Sequence, residues 1–212
     1  MVVPLDLRKA TPSDFASLFN ERERTAIVIN NAGIMKNQAF LKMDPAQLES
    51  MIKTNVHPYV YMTKPALNHF RATRDQHMQK NAMIYVSSSV VYMNGALFGP
   101  YTGTKTHNLV FANQVRNMCF KNATFNGLMS VQTVHPLGVT TGLNNYKTDM
   151  PFVEHPSECA RGSLCDLENR REVAGAFMHN VLLMLQYPLF GLNIPYFNKN
   201  MAKSMENDRD II

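Results

Sequence analysis

Three short apolar runs, set apart by long stretches of helical periodicity, constrain this chain more than any other feature. The runs are Ala26–Ile27–Val28–Ile29, Ala82–Met83–Ile84–Tyr85–Val86 and Leu128 to Val134. A short run without polar alternation suits a strand buried on both faces, as in a parallel sheet. Between the first two runs, Asp44–Pro45 gives a helix start, cap then proline. Leu48, Met51, Ile52, Val56, Tyr59, Val60 and Met62 then keep helical spacing toward His69. A second long helix is expected from Tyr101 to about Phe120. Strands alternating with helices of this length predict right-handed βαβ units and a doubly wound, parallel α/β sheet.

The flanks are less regular. Val2 to Leu7 reads as a short strand, and Thr11–Pro12 caps a helix expected to reach about Arg24. Pro156–Ser157 opens a later helix. Ala176 to Phe197 is apolar but cut by Pro188, Gly191 and Pro195. It reads as a broken helix lying on a surface, either the protein's own or that of a membrane. With 212 residues, 45% hydrophobic and 17% charged, the chain is expected to be one globular domain. A formal charge of +5 comes from scattered rather than clustered residues, which argues against nucleic-acid binding. The three cysteines, Cys119, Cys159 and Cys165, have no metal-ligand spacing and read as free thiols of a reducing compartment. The seven histidines form no HxxxH or HExxH pair, so no metal site is expected. No secretory signal and no apolar run long enough to span a membrane is visible.

The chemistry-bearing stretch is Ser88 to Lys105. Tyr101 and Lys105 stand at i and i+4, on one face if the segment is helical. An ammonium close to a phenol favours the phenolate and lowers its pKa from the usual ~10. Such a tyrosine can exchange a proton with a substrate oxygen near neutral pH. A YxxxK pair alone arises by chance on many helices. What sets this one apart is Ser88, thirteen residues earlier at the end of an apolar run, able to hold the same oxygen. Ser87 and Ser89 are alternative bearers of that hydroxyl.

In order along the chain stand NNAG (Asn30 to Gly33), Thr54–Asn55, Ser88, Tyr101-x-x-x-Lys105, and Pro136 followed by Val139-x-Thr141. This series resembles the short-chain dehydrogenase/reductase family over roughly Val2 to Gly142. The part from VQTVHPLGVTT onward, with Pro156–Ser157 and the broken apolar helix, looks like the branch of very-long-chain 3-oxoacyl-CoA reductases and 17β-hydroxysteroid dehydrogenases. The resemblance implies a Rossmann-like sheet and NADP or NAD as cofactor. It implies Tyr101 as general acid, Lys105 as the group that lowers its pKa and holds the nicotinamide ribose, and Ser88 as the group orienting the carbonyl. Asn55 would anchor a water linking Lys105 to solvent. Asp6 and Leu7 match the adenine-contacting position, Asn31, Ala32 and Gly33 would pass close to the adenosine ribose, and Pro136, Val139 and Thr141 match the segment meeting the carboxamide.

Two departures stand out. Leu137 replaces the usual glycine after the proline, and no TGxxxGxG phosphate loop occurs in the sequence. The chain starts at what the resemblance makes the third strand, so the sheet is expected to lack its first β-α-β unit. With a strand order of 3-2-1-4-5-6, the absent strands would leave a gap between Val2–Leu7 and Ala26–Ile29. Residues 1–142 would form the core of a single truncated domain, and 143–212 a substrate-side and C-terminal helical region. Three functions compete: a reductase of 3-oxoacyl or keto-steroid carbonyls, a non-catalytic structural subunit of a larger assembly, and an acyl or sterol binding module. Expected partners are a small carbonyl substrate, a second copy or a larger complex, and a membrane surface through 176–197. The endoplasmic reticulum membrane follows from the resemblance, with mitochondrial or cytoplasmic locations as alternatives.

Overall fold

The structure, a computed structural model, describes residues 2–19, 24–36, 38–77, 80–92, 98–144 and 153–186. Four parallel strands form its sheet: β1 (Ile27–Asn30), β2 (Asn81–Val86), β3 (Met129–Val134) and β6 (Glu172–Val173), in the order β1-β2-β3-β6. Helices α1 (Pro12–Ala16), α2 (Pro45–Asn55), α3 (His57–His77), α4 (Gly99–Lys121), α5 (Pro156–Cys165) and α6 (Phe177–Gln186) connect and flank them. A small two-stranded ladder, β4 (Gly138–Val139) with β5 (Val153–Glu154), stands beyond the end of β3. This is the expected Rossmann-like α/β architecture.

Alternation along the strands sorts the core into two faces. Val28, Met83, Tyr85 and Val131 point to one face, where Tyr59, Ala66 and Phe70 of α3 and Ala112, Val115 and Cys119 of α4 close over them. Ile84, Val134 and Val173 point to the other, joined by Val86 and Leu167. Burial on both faces was expected of Ala26–Ile29, but Ile27 and Ile29 remain 44% and 55% exposed. The reason is position: β1 ends the sheet, and the described residues cover only one of its faces.

Val2 to Leu7 is not a strand, contrary to expectation. The chain turns at Asp6, whose carbonyl accepts the N–H groups of Lys9 and Ala10 at 2.9 and 3.0 Å. The Asp6 carboxylate also takes the Arg8 guanidinium at 2.9 Å. Among the described residues no strand lies beside it to pair with, and their four-stranded sheet runs without the interior gap that pairing would have required. Helix α1 also ends early, at Ala16 rather than near Arg24. Its start is as expected, with the Asp14 carboxylate receiving the Thr11 N–H at 2.7 Å. Residues 20–23 lie outside the described residues, as do Asn94–Gly95 and 187–212, including the second half of the expected broken helix, whose first half contains α6.

The helix expected from Asp44 to about His69 is two helices. Asp44 caps α2 by accepting the Ala46 N–H at 2.7 Å, and the break falls at Val56. Pro58 explains it: its ring cannot donate to the carbonyl four residues back and disfavours helical backbone at the preceding residue. Helix α5 starts at Pro156 as the Pro-Ser pair predicted, with the His155 ring accepting the Ser157 N–H at 3.3 Å.

Helix α5 lies hard against the turn after β6. Gly175 has φ +85°, a conformation that L side chains rarely adopt. A Cβ on Gly162 would penetrate the Gly175 carbonyl oxygen. Gly162→Ala is therefore expected to destabilise the fold by about 1–3 kcal/mol, the usual cost of overpacking. A urea melt checks it, and an unchanged midpoint would show that this contact yields freely.

Candidate active site

The carboxyl ends of the parallel strands carry the chemistry. β2 ends at Val86 and delivers Ser87, Ser88 and Ser89, all buried. Backbone bonds fix this corner to the end of β3: Ser87 N–H donates to the Val134 carbonyl at 2.8 Å and Ser89 N–H to the Pro136 carbonyl at 3.0 Å. The Ser87 hydroxyl donates to the Lys105 carbonyl at 2.8 Å and so serves to seat α4. Ser88 is the serine whose hydroxyl meets Tyr101. Of the three candidate bearers, Ser88 is the one whose hydroxyl bears on the Tyr101 phenol.

Tyr101 and Lys105 occupy one face of α4, and both are buried. The Lys105 ammonium donates to the Val86 carbonyl at 2.8 Å and reaches the Tyr59 hydroxyl at 3.5 Å. It lies 5.6 Å from the centre of the Tyr59 ring and 5.9 Å from that of Tyr101. Burial lowers its pKa to about 8. Burial also raises that of Tyr101, with the Ser88 hydroxyl pulling the other way. The expectation that Lys105 would lower the phenol's pKa is therefore not met in this arrangement. The ammonium is turned toward Val86, and desolvation of the phenolate prevails.

Asn55 sits at the end of α2, fully buried, with its carboxamide engaged throughout. Its Oδ1 accepts the Ile34 N–H at 2.8 Å, and its Nδ2 donates to the Ile34 carbonyl at 2.9 Å and to the Thr104 hydroxyl at 3.0 Å. Its own carbonyl accepts from Asn108 Nδ2 at 3.0 Å. These bonds tie the loop after β1 to α4. Asn31, Ala32 and Gly33 lie in that loop. A Cβ on Gly33 would stand 3.2 Å from Lys105 Nζ and 3.5 Å from Asn55 Oδ1, so a side chain there would crowd the ammonium.

The other expected contacts are more dispersed. Pro136 holds Ser89, and Val139 is in β4, paired with Glu154 of β5, with Thr141 just beyond. Asp6 is taken up by Arg8, whose hydrogen bonds lower its carboxyl to about 2. Among the described residues no hydrogen bond joins Asp6 or Leu7 to the Tyr101 cluster. Tyr59, Thr104 and Asn108 also belong to the site, and no sequence motif marks them. In the sequence Tyr59 belongs to an apolar stripe, and the helix break at Val56 between it and Asn55 removes any shared helix face that could have marked it. No group of three or more His, Cys, Asp or Glu able to hold a metal occurs among the described residues, and none of their helices is long and apolar enough to cross a membrane. In chemical terms the site offers a buried phenol, an adjoining hydroxyl and an amine of lowered pKa, which is the equipment for proton transfer to an oxygen.

Residues 3–151 match the family model described as short chain dehydrogenase. No curated protein matches the chain. Solved structures share its fold at low identity. A short chain dehydrogenase from Burkholderia cenocepacia in complex with NADP is 17% identical with a TM-score of 0.73, the match covering 94% of this chain and 80% of that one. A bulky-bulky ketone specific alcohol dehydrogenase from Comamonas testosteroni is 17% identical with a TM-score of 0.67, covering 90% and 72%. A 3-ketoacyl-(acyl-carrier-protein) reductase from Brucella melitensis complexed with NADH is 18% identical with a TM-score of 0.62, covering 79% and 73%.

Proposed function

The chain belongs to the short chain dehydrogenase family, and on that premise we propose that it reduces a 3-oxoacyl or keto-steroid carbonyl to the alcohol with NADP or NAD as cofactor. The observation that carries this reading is the buried meeting of Ser88, Tyr101 and Lys105 at the end of β2. Ser88 orients the carbonyl oxygen by donating to it. Tyr101 gives that oxygen a proton, and burial keeps the phenol protonated until then. The Ser88 hydroxyl favours the phenolate left behind, and Lys105 would hold the nicotinamide ribose. The cofactor, when bound, supplies the hydride. The residues fit its ribose–nicotinamide half: Gly33 leaves room above the Lys105 ammonium, and Val139 and Thr141 follow the end of β3. The pyrophosphate half calls for a glycine-rich loop at a helix N-terminus, which these 212 residues do not contain. We place that loop on a segment outside them or on a partner chain.

The test is reduced-cofactor oxidation with a 3-oxoacyl thioester and with a keto-steroid. It is run on the 212-residue chain and on the chain joined to a TGxxxGxG-bearing β-α-β unit. Turnover by the joined form supports the reading. No turnover by either form, with either cofactor, removes it. The 212-residue chain by itself is expected to bind NADPH more weakly than micromolar, as calorimetry would show.

The uncovered face of β1 favours a second reading, in which the chain is a non-catalytic subunit seated on a partner through Ile27 and Ile29. Sedimentation of the purified chain decides: an assembly larger than one chain supports it, and a soluble monomer with a sharp thermal transition dismisses it.

A further inference from the structure

A second polar cluster gathers around Glu172. Glu172 of β6 accepts the Tyr92 hydroxyl on Oε2 at 2.8 Å. The same oxygen is 3.4 Å from Nε2 of His135, a fully buried residue at the end of β3. Oε1 accepts from Asn113 Nδ2 of α4 at 3.5 Å. Asn113 in turn is bonded by Arg116, whose guanidinium also donates to the carbonyls of Val131 and Arg171 at 2.8 and 2.9 Å. The Tyr92 and His135 rings lie 5.2 Å apart. One carboxylate thus joins β3, β6, α4 and the short 3₁₀ turn Ser89–Tyr92.

That turn follows Ser88 directly. Its near end is hooked to β3 through the backbones of Ser87 and Ser89. Its far end is Tyr92, whose hydroxyl bears on Glu172. Glu172 is itself located by main-chain pairing, because β6 aligns Glu172 with Thr133 and the His135 N–H donates to the Val173 carbonyl at 2.7 Å. A phenol donating to a carboxylate makes one of the stronger neutral-to-ion hydrogen bonds. Tyr92 and Glu172 are both outside the Ser88–Tyr101–Lys105 group.

We infer that Glu172 is a positioning residue for Ser88, acting through Tyr92 to hold the serine turn in register with Tyr101. The inference rests on the reading of Ser88 and Tyr101 as the reacting pair. Tyr92→Phe removes only the hydroxyl, and Glu172→Gln keeps the shape while removing the charge. Each is expected to raise amide hydrogen exchange across Ser88–Tyr92 by roughly tenfold, the effect of one lost charge-assisted bond. Exchange in β2 should stay unchanged. Across Ser88–Tyr92 the double variant should exchange no faster than Tyr92→Phe, because that variant already removes the Tyr92–Glu172 bond. In the joined, cofactor-binding form, kcat for carbonyl reduction should fall by about the same factor while NADPH affinity holds. Unchanged exchange in Tyr92→Phe overturns the inference. So does faster exchange with kcat intact, which would make the bond merely structural. If the wild-type joined form shows no turnover, the reductase reading fails and the positioning role toward catalysis falls with it. The exchange data then still decide whether Glu172 holds the turn.

Discussion

Tyr101→Phe should lower turnover of the carbonyl substrate by ~10²–10⁴-fold, the usual loss when a positioned acid is removed. Substrate and cofactor affinity should change little. The ring stays, so the buried packing of α4 against the serine corner is preserved, and only the proton donor goes. The direction of the Tyr101 shift matters here. Burial raises the phenol's pKa, which keeps it in the protonated form that reduction consumes. Once it has given its proton, the phenolate is the unfavourable species, and the Ser88 hydroxyl is the group that offsets it. The measurement is single-turnover reduction with the joined form, separating chemistry from product release. Near-normal single-turnover rates in Tyr101→Phe would exclude the phenol as the acid.

What the sequence makes legible follows from how local each signal is. β1, β2 and β3 show as apolar runs because each is covered by helices on at least one face, and α2 shows through Asp44–Pro45 because a cap is a local bond. The meeting of Ser88 with Tyr101 is legible because a strand end and a helical i, i+4 pair leave few ways to arrange twelve intervening residues. β6 is not legible: two residues, Glu172 and Val173, carry no period, and what makes them a strand is the edge of β3 beside them. Val2 to Leu7 fails in the opposite sense. Its composition suits a strand, but a strand needs a neighbour, and Asp6 with Arg8 makes a turn instead. Asn108, Thr104 and Tyr59 were missed because their partners are distant in sequence. Asn108 bonds Asn55, and Tyr59 meets Lys105. Only the assembled fold brings such pairs together. The Glu172 cluster was missed for the same reason.

Lys105→Met should stabilise the fold near neutral pH, although it is expected to abolish the reaction. The folded chain holds Lys105 at about 8, below the ordinary 10.5 of a lysine, because burial penalises the ammonium. The unfolded chain therefore binds the proton more tightly than the folded one, and stability rises with pH between these two values. Below the lower value the penalty is present in full, about 3 kcal/mol for a shift of this size, and above the upper value it vanishes. Methionine fills nearly the same volume without the charge. It forfeits the bond to the Val86 carbonyl, at a cost of about 1 kcal/mol. A net gain of roughly 2 kcal/mol is expected at pH 7, or some 4–8 °C in Tm for a domain of this size. The gain should shrink as pH rises through 8 and reverse into a small loss by about 10.5, where only the missing hydrogen bond counts. Paired urea melts of wild type and variant across this range measure the difference, with the other titrating groups common to both. A variant less stable than wild type by the same amount at pH 7 and pH 10 would show that burying Lys105 carries no electrostatic penalty. The expected crossing would instead make Lys105 a residue kept at the expense of stability, as functional groups in buried sites commonly are.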